Sequence, residues 1–113
     1  MTALFAIDYS AGPNWLEGKS TFEQPLQAHL AYMTELSHRG VLLLGGPFTD
    51  ALGGLGVVMA ASQEEADGIA AQDPAVQSQL LKAVVHPWNV MLTGRAALAA
   101  WTQAACGLSV VDC

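Results

Sequence analysis

Two ionisable side chains near the start of the chain could form an acid/base pair. His29 lies in "EQPLQAHLAYMTELSHRG", where helical spacing places it beside Leu26 and Leu30 on an apolar face. An imidazole there can transfer protons near neutral pH if a partner fixes its tautomer. Asp8 ends the apolar segment "ALFAIDY", and a buried carboxylate is costly unless it is paired. We therefore predict a catalytic dyad of His29 and Asp8; the alternatives are a boundary histidine that binds solvent and a strand-end carboxylate that faces water.

Further residues are candidates for binding a ligand. Asp50 follows "LLLGGPF", whose Gly-Gly-Pro lets the backbone bend or approach a ligand, but turn chemistry favours a simple turn residue in "TDALGG". In "VVHPW", His86 adds a second imidazole beside Trp88, which could form a pocket wall or a dimer core. Phe5 could add to an apolar wall, and Trp15 could act as a lid. The predicted substrate-binding residues are Met33, Pro47, Phe48, Asp50, His86 and Trp88.

The first helix is expected to position His29. Its apolar positions recur with steps of three and four residues, which is typical of an amphipathic helix over residues 22–38. Ser20 or Thr21 can cap the helix, Thr21 with Gln24 three residues later resembles a capping box, and Gly40 ends the helix. The predicted apolar stripe is Phe22, Leu26, Leu30, Met33 and Leu36.

The remaining segments predict a small sheet with a second helix. Ser62 caps a helix that runs to about residue 71, and Asp73-Pro74 breaks it, after which a short helical turn can follow. The short "TDALGG" turn predicts an antiparallel hairpin. The predicted strands cover residues 3–9, 41–48, 55–62 and 81–92, with Pro87 limiting the pairing near the end of the last strand. This order, β-α-β-β-α-β, predicts a ferredoxin-like α+β fold with a four-stranded antiparallel sheet, followed by a C-terminal helical extension.

Composition excludes several classes of function. Of the 113 residues, 52% are hydrophobic and the net charge is −6, which indicates a globular chain and, with so few charges, subunit contacts. The four basic residues are scattered, so neither nucleic acid nor an anionic membrane is a predicted partner. Cys106 and Cys113 have no zinc-ligand spacing and are expected to be free thiols. No leader or membrane span is visible, and we predict a cytoplasmic protein.

The sequence lacks the motifs of several common enzyme classes, and proton transfer is the chemistry that remains. There is no P-loop, no Gly-x-Gly-x-x-Gly after the first strand, and no serine or cysteine in a nucleophile elbow. The three histidines are far apart in sequence and do not indicate a metal site. The sequence therefore predicts chemistry without a tightly bound cofactor.

Taken together, "HLAYMTELSHRGVLLLGGPFTD", "EEADGIAAQDPAV" and "VVHPW" resemble the YCII-related family over about residues 3–92. The resemblance implies a ferredoxin-like domain that pairs into a dimeric α/β barrel, with a histidine and an aspartate in a pocket between helix and sheet. By position these are His29 and Asp8. The family includes a dehydrochlorinase acting on a chlorinated hydroxyhydroquinone, which makes elimination a model reaction. This chain departs in its longer first loop, "GPNWLEGKS", and in the tail after about Thr93.

We therefore predict one domain over residues 1–92 and an extension, residues 93–113, that packs on the domain or on a dimer partner. The predicted function is a cofactor-independent lyase or isomerase that acts on a cyclic or aromatic small molecule by general acid/base catalysis. The alternatives are a non-catalytic dimeric protein that binds a small ligand in the same pocket, and an inert accessory subunit.

Overall fold

The computed structural model describes residues 2–94. The elements are β1 (Ala3–Ala11), a 3₁₀ turn (Thr21–Glu23), α1 (Gln27–His38), β2 (Leu42–Pro47), β3 (Gly54–Ala60), α2 (Gln63–Ala71), α3 (Pro74–Gln77) and β4 (Leu81–Trp88). The predicted extension lies almost wholly outside the described residues, as do both cysteines, so its helix and its packing stay predictions.

The four strands form one antiparallel sheet in the order β2-β3-β1-β4. This is the ferredoxin-like arrangement, which confirms the predicted α+β fold with a four-stranded antiparallel sheet. β2 and β3 form the predicted hairpin, while each helical connection returns the chain to the sheet. Among the described residues, no helix combines the length and the apolar character that crossing a bilayer requires.

The two faces of the sheet differ in burial because side chains alternate along each strand. In β1, Phe5, Ile7 and Tyr9 are buried and belong to the hydrophobic core. Asp8, between Ile7 and Tyr9, is exposed on the other face. We call the buried side the inner face and the opposite side the outer face. The core therefore lies on the inner face, between the sheet and the helices.

The first helix begins later than predicted. Gln24 has an extended backbone with ψ 150°, as expected for a residue before proline, and α1 starts only at Gln27. The predicted capping box of Thr21 and Gln24 is wrong. Instead, the Ser20 backbone N–H donates to the Glu23 carboxylate at 3.0 Å. Proline therefore separates a short 3₁₀ turn from the helix proper.

The apolar stripe of that helix is also split. Met33 and Leu36 are buried, as predicted, but Phe22 is 90% exposed and Leu30 is 67% exposed. Both exposed side chains line a hollow rather than the core. The predicted stripe therefore packs partly against the core and partly lines the hollow.

The corner between α2 and α3 follows the capping rules closely. Ser62 caps α2 by accepting a hydrogen bond from the Glu65 N–H at 3.1 Å, which confirms the predicted cap. Asp73 caps α3 by accepting from the Ala75 N–H at 2.9 Å, and Pro74 occupies the first helical position. This corner places an aspartate side chain next to α1.

Candidate active site

An open hollow of about 390 Å³ lies between α1 and the β2–β3 hairpin. Strand pairing puts Gly45 opposite Gly56, and Gly54 opposite Tyr9. Since Tyr9 and the Gly56 partner Ile7 face the helices, these three glycines occupy inner-face positions. Gly45 and Gly54 line the hollow, and this part of the sheet, which lacks side chains, makes its floor, whereas Gly56 is covered by side chains of Tyr9, Leu42 and Met33.

The walls of the hollow are mostly apolar. They come from α1, from the 3₁₀ turn and from the loop before it, and they include an imidazole. The main wall side chains are Trp15, Phe22, Leu26, His29, Leu30 and Met33. Such a lining, with few polar groups, is typical of a small-molecule site.

His29 pairs with Asp73 rather than with Asp8. The distance between His29 Nδ1 and Asp73 Oδ2 is 2.6 Å, across 44 residues of sequence. An ionised carboxylate only accepts hydrogen bonds, so Nδ1 carries the proton and donates it. This leaves Nε2 as the nitrogen available for proton exchange with a ligand.

Asp73 is held in place by both carboxylate oxygens. Its side chain is fully buried, while that of His29 is 20% exposed. Asp73 Oδ1 accepts from the Ala75 N–H, and Oδ2 accepts from His29. A buried carboxylate is tolerated when it is paired and hydrogen-bonded, and here both conditions hold. The imidazole is therefore fixed in orientation by a rigid group.

The predicted pairing of Asp8 with His29 is wrong. Asp8 lies opposite Leu55 in β3 and opposite Val84 in β4, and its side chain is on the outer face. Side chains of consecutive strand residues point to opposite faces, so Ile7 and Tyr9 occupy the inner face instead. The sheet separates Asp8 from the imidazole.

Tyr9 stands beside His29 in the hollow. The two rings meet edge to face with centroids 5.5 Å apart. The Tyr9 hydroxyl donates to Met33 Sδ at 3.7 Å. Burial and the nearby negative charge of Asp73 raise the pKa of the Tyr9 phenol well above its ordinary range.

Gln24 anchors the loop that carries Trp15. Its side chain is buried and makes three hydrogen bonds with the main chain: Oε1 accepts from the Leu16 N–H at 2.9 Å, and Nε2 donates to the carbonyls of Leu16 and Lys19 at 3.0 and 3.2 Å. The "GPNWLEGKS" segment is thereby closed onto the start of the helical region. Trp15, suggested as a lid, lines the hollow.

The other predicted residues divide between the hollow and the rest of the surface. Met33 and Pro47 line the hollow. Asp50 is exposed in the β2–β3 connection, where the turn interpretation placed it, and is not part of the lining. The remaining candidates do not line it either: Phe5 belongs to the core, Phe48 and Trp88 are exposed, and His86 is exposed on β4 opposite Ala6.

Sequence reasoning missed Asp73 and Tyr9 as site residues. The signal for Asp73 was present, because an aspartate followed by proline is typical of a helix cap, and the same dipeptide was part of the family resemblance. By itself, however, the dipeptide indicates only a helix break and says nothing of contact with His29. Within residues 2–94, no cluster of three or more His, Cys, Asp or Glu side chains could hold a metal ion.

The fold and the site together define a class of protein: a ferredoxin-like α+β domain with a buried-carboxylate/imidazole pair in an apolar hollow. The YCII-related domain model matches residues 4–89, and the chain belongs to the YCII-related family. A comparison with curated proteins returned no match.

A solved structure supports this assignment. The chain is similar to the 5-chloro-2-hydroxyhydroquinone dehydrochlorinase from Burkholderia phenoliruptrix, solved in complex with 2,5-dihydroxybenzoquinone. The sequences are 25% identical, the TM-score is 0.60, and the match covers 76% of this chain and 93% of the other.

Proposed function

We propose that this protein is a lyase or isomerase that acts on a cyclic or aromatic small molecule, with His29 as the proton-transfer group and Asp73 as the residue that orients it. The 2.6 Å bond between His29 Nδ1 and Asp73 Oδ2, on the wall of an apolar hollow, carries this proposal. A buried carboxylate fixes the tautomer and stabilises the imidazolium that forms during proton transfer.

The proposed elimination balances without a further reactant. His29 Nε2 takes a proton from the ligand, the freed electron pair forms a double bond, and the leaving group departs as an anion. In the isomerase version, His29 returns the proton to another carbon of the ring. The dehydrochlorinase activity of the similar protein supports the first version.

The experiment compares His29→Gln with His38→Gln, using chloride release from 5-chloro-2-hydroxyhydroquinone as the first assay. His38 is exposed at the end of the same helix, so its variant controls for changes to the helix. We expect His29→Gln to lower turnover by on the order of 10² to 10⁴, since general acid/base catalysis contributes about that much. His38→Gln should retain wild-type turnover.

Undiminished turnover by His29→Gln would refute the proposed chemistry. If the wild-type protein binds cyclic ligands but converts none from a wider panel of halogenated phenols and lactones, the alternative of a binding protein is favoured. The two outcomes are separated by measuring affinity and turnover on the same preparations.

We further propose that the protein forms a homodimer through the outer face of its sheet. At outer-face positions set by the strand register, five large apolar side chains are exposed: Leu44, Leu55, Met59, Val84 and Trp88. An exposed apolar patch of this extent is typical of an interface, and two sheets can pack face to face about 10 Å apart. A second copy of the same face offers matching apolar side chains, with Asp8 and His86 among them.

Light scattering on Val84→Lys tests the dimer. Val84 is 53% exposed on a strand, and Leu52, 51% exposed in the β2–β3 connection, offers a matched control. We expect Val84→Lys to be monomeric, because a lysine in an apolar interface would be desolvated, and Leu52→Lys to stay dimeric. A monomeric wild-type protein, or a dimeric Val84→Lys variant, would contradict this interface.

A further inference from the structure

The chain's two tyrosines use their hydroxyl groups differently. The Tyr32 hydroxyl donates to the Ile69 carbonyl at 2.6 Å, a strong bond that ties α1 to α2. The Tyr9 hydroxyl has only the Met33 thioether, at 3.7 Å, as a partner among the described residues. Sulfur of this kind is a weak acceptor, whereas buried tyrosine hydroxyls usually find a good one. Tyr9 is therefore a donor whose present bond is easily exchanged for a better one.

The Tyr9 phenol stays protonated over the range in which the protein would act. Its burial and the negative charge of Asp73 raise its pKa, and the charge of Tyr32 acts in the same direction. A phenol in that state donates a hydrogen bond and does not act as a base. Its role is thus distinct from that of His29.

Tyr9 also lies next to His29 in the hollow. Tyr9 and His29 both line the hollow, and their rings are in edge-to-face contact. Gln24, another polar side chain in the lining, already uses its amide in three main-chain bonds. The hydroxyl and the imidazole are therefore adjacent polar groups that can meet one end of a bound ring, while the other polar side chains of the lining, Thr21 and Gln27, belong to the 3₁₀ turn and the first residue of α1.

We propose that the Tyr9 hydroxyl donates a hydrogen bond to a ring oxygen substituent, so that the hollow selects phenols and ring ketones over hydrocarbons of the same shape. The proposal rests on the proposed function in taking this hollow as the ligand site. It adds a specificity-determining residue and the chemical class of the ligand. An oxygen held by Tyr9 would place the adjoining ring atoms next to His29.

The test uses two probes of nearly equal size, 4-methylphenol and 1,4-dimethylbenzene, and measures the Kd of each. Tyr9→Phe keeps the ring and its contact with His29 but removes the hydroxyl. We expect it to weaken 4-methylphenol binding about three- to tenfold, as for loss of one hydrogen bond, and to change 1,4-dimethylbenzene binding by less than about twofold. Tyr32→Phe, which loses the structural hydroxyl, should discriminate between the probes as the wild type does.

Met33→Leu gives an independent expectation of opposite sign. It removes the competing thioether at similar volume, so the preference for 4-methylphenol over 1,4-dimethylbenzene should rise about two- to threefold. A preference that is unchanged in Tyr9→Phe, a parallel loss of both probes in that variant, or no binding of 4-methylphenol to the wild type would overturn the proposal.

The result is distinguishable from failure of the proposed function. If Tyr9→Phe keeps its preference while His29→Gln loses turnover, only the role of Tyr9 falls. If Tyr9→Phe loses the preference while His29→Gln retains turnover, the acid/base function falls and the role of Tyr9 stands.

Discussion

Replacing Asp73 should separate folding from chemistry, because its two carboxylate oxygens serve different purposes. Oδ1 caps α3 through the Ala75 N–H, and Oδ2 holds His29. Asp73→Ala removes both contacts. The cap contributes about 1 kcal/mol, and a hydrogen bond to a charged group contributes about 1.5–3 kcal/mol. We therefore expect the free energy of unfolding to fall by about 2.5–4 kcal/mol.

Asp73→Asn should behave differently. Asparagine caps a helix as well as aspartate does, so its oxygen can keep the Ala75 bond. Its amide then presents N–H to His29, and the imidazole can accept only if its proton moves from Nδ1 to Nε2. The lost charge assistance costs about 1 kcal/mol, while turnover should fall on the order of 10² to 10⁴ because Nε2 no longer accepts a proton.

Urea unfolding measures the two stabilities, and ¹⁵N NMR of the imidazole measures the tautomer without any substrate. Asp67→Asn is the matched control: Asp67 accepts a side-chain bond from Gln63 on the exposed side of α2, and its loss should cost less than about 0.5 kcal/mol. Equal stabilities for Asp73→Ala and Asp73→Asn would refute the capping role. A proton that stays on Nδ1 in Asp73→Asn would refute the assigned orientation.

Three further perturbations have expected outcomes. Gly45→Val should lower 4-methylphenol affinity more than about tenfold with little change in Tm, because its Cβ would enter the hollow while meeting Leu42 at an ordinary 3.4 Å. Calorimetry on the wild type and the variant measures both quantities. Unchanged affinity would exclude the hollow as the binding site. Gln24→Ala should cost about 1–3 kcal/mol and speed hydrogen exchange at the Leu16 amide, which loses its acceptor. Tyr9→Phe should reduce the fall in the free energy of unfolding above pH 10, the ordinary tyrosine pKa. Above that pH the unfolded chain has released a proton that folded Tyr9 retains. The wild type therefore loses up to about 1.4 kcal/mol of unfolding free energy per pH unit from this group. Urea unfolding of both proteins between pH 8 and 11 checks the sign, and parallel curves would contradict it.

The fold could be predicted because local signals were consistent with one another. Ser62 as a cap and the break at Asp73-Pro74 bound α2 correctly, and the short connection after Pro47 required a hairpin. Periodicity also identified the strands to within a few residues. These features depend on neighbours in sequence, for which hydrogen-bond geometry leaves few alternatives.

The partner of His29 could not be predicted in the same way. The segment "ALFAIDY" is a continuous apolar run, which hides the alternation that puts Asp8 on the outer face. Asp73 is 44 residues from His29 and reaches it only because α1 packs beside α3. A capping aspartate normally faces water, so its sequence context gives no sign that this one is buried.

Asp73 and the loop that carries Trp15 differ in how freely their residues can be replaced. The His29–Asp73 pair is fixed by the packing of α1 against α3 and by a cap that the fold itself needs, so Asp73 is constrained twice. Trp15 instead contributes to the wall of the hollow from a segment held through Gln24 by main-chain bonds that depend little on the side chains of the loop. Changes in that loop can therefore alter which ligand fits without moving His29. The first loop, which the sequence predicts to be longer than in the family, would on this basis change the substrate rather than the proposed chemistry.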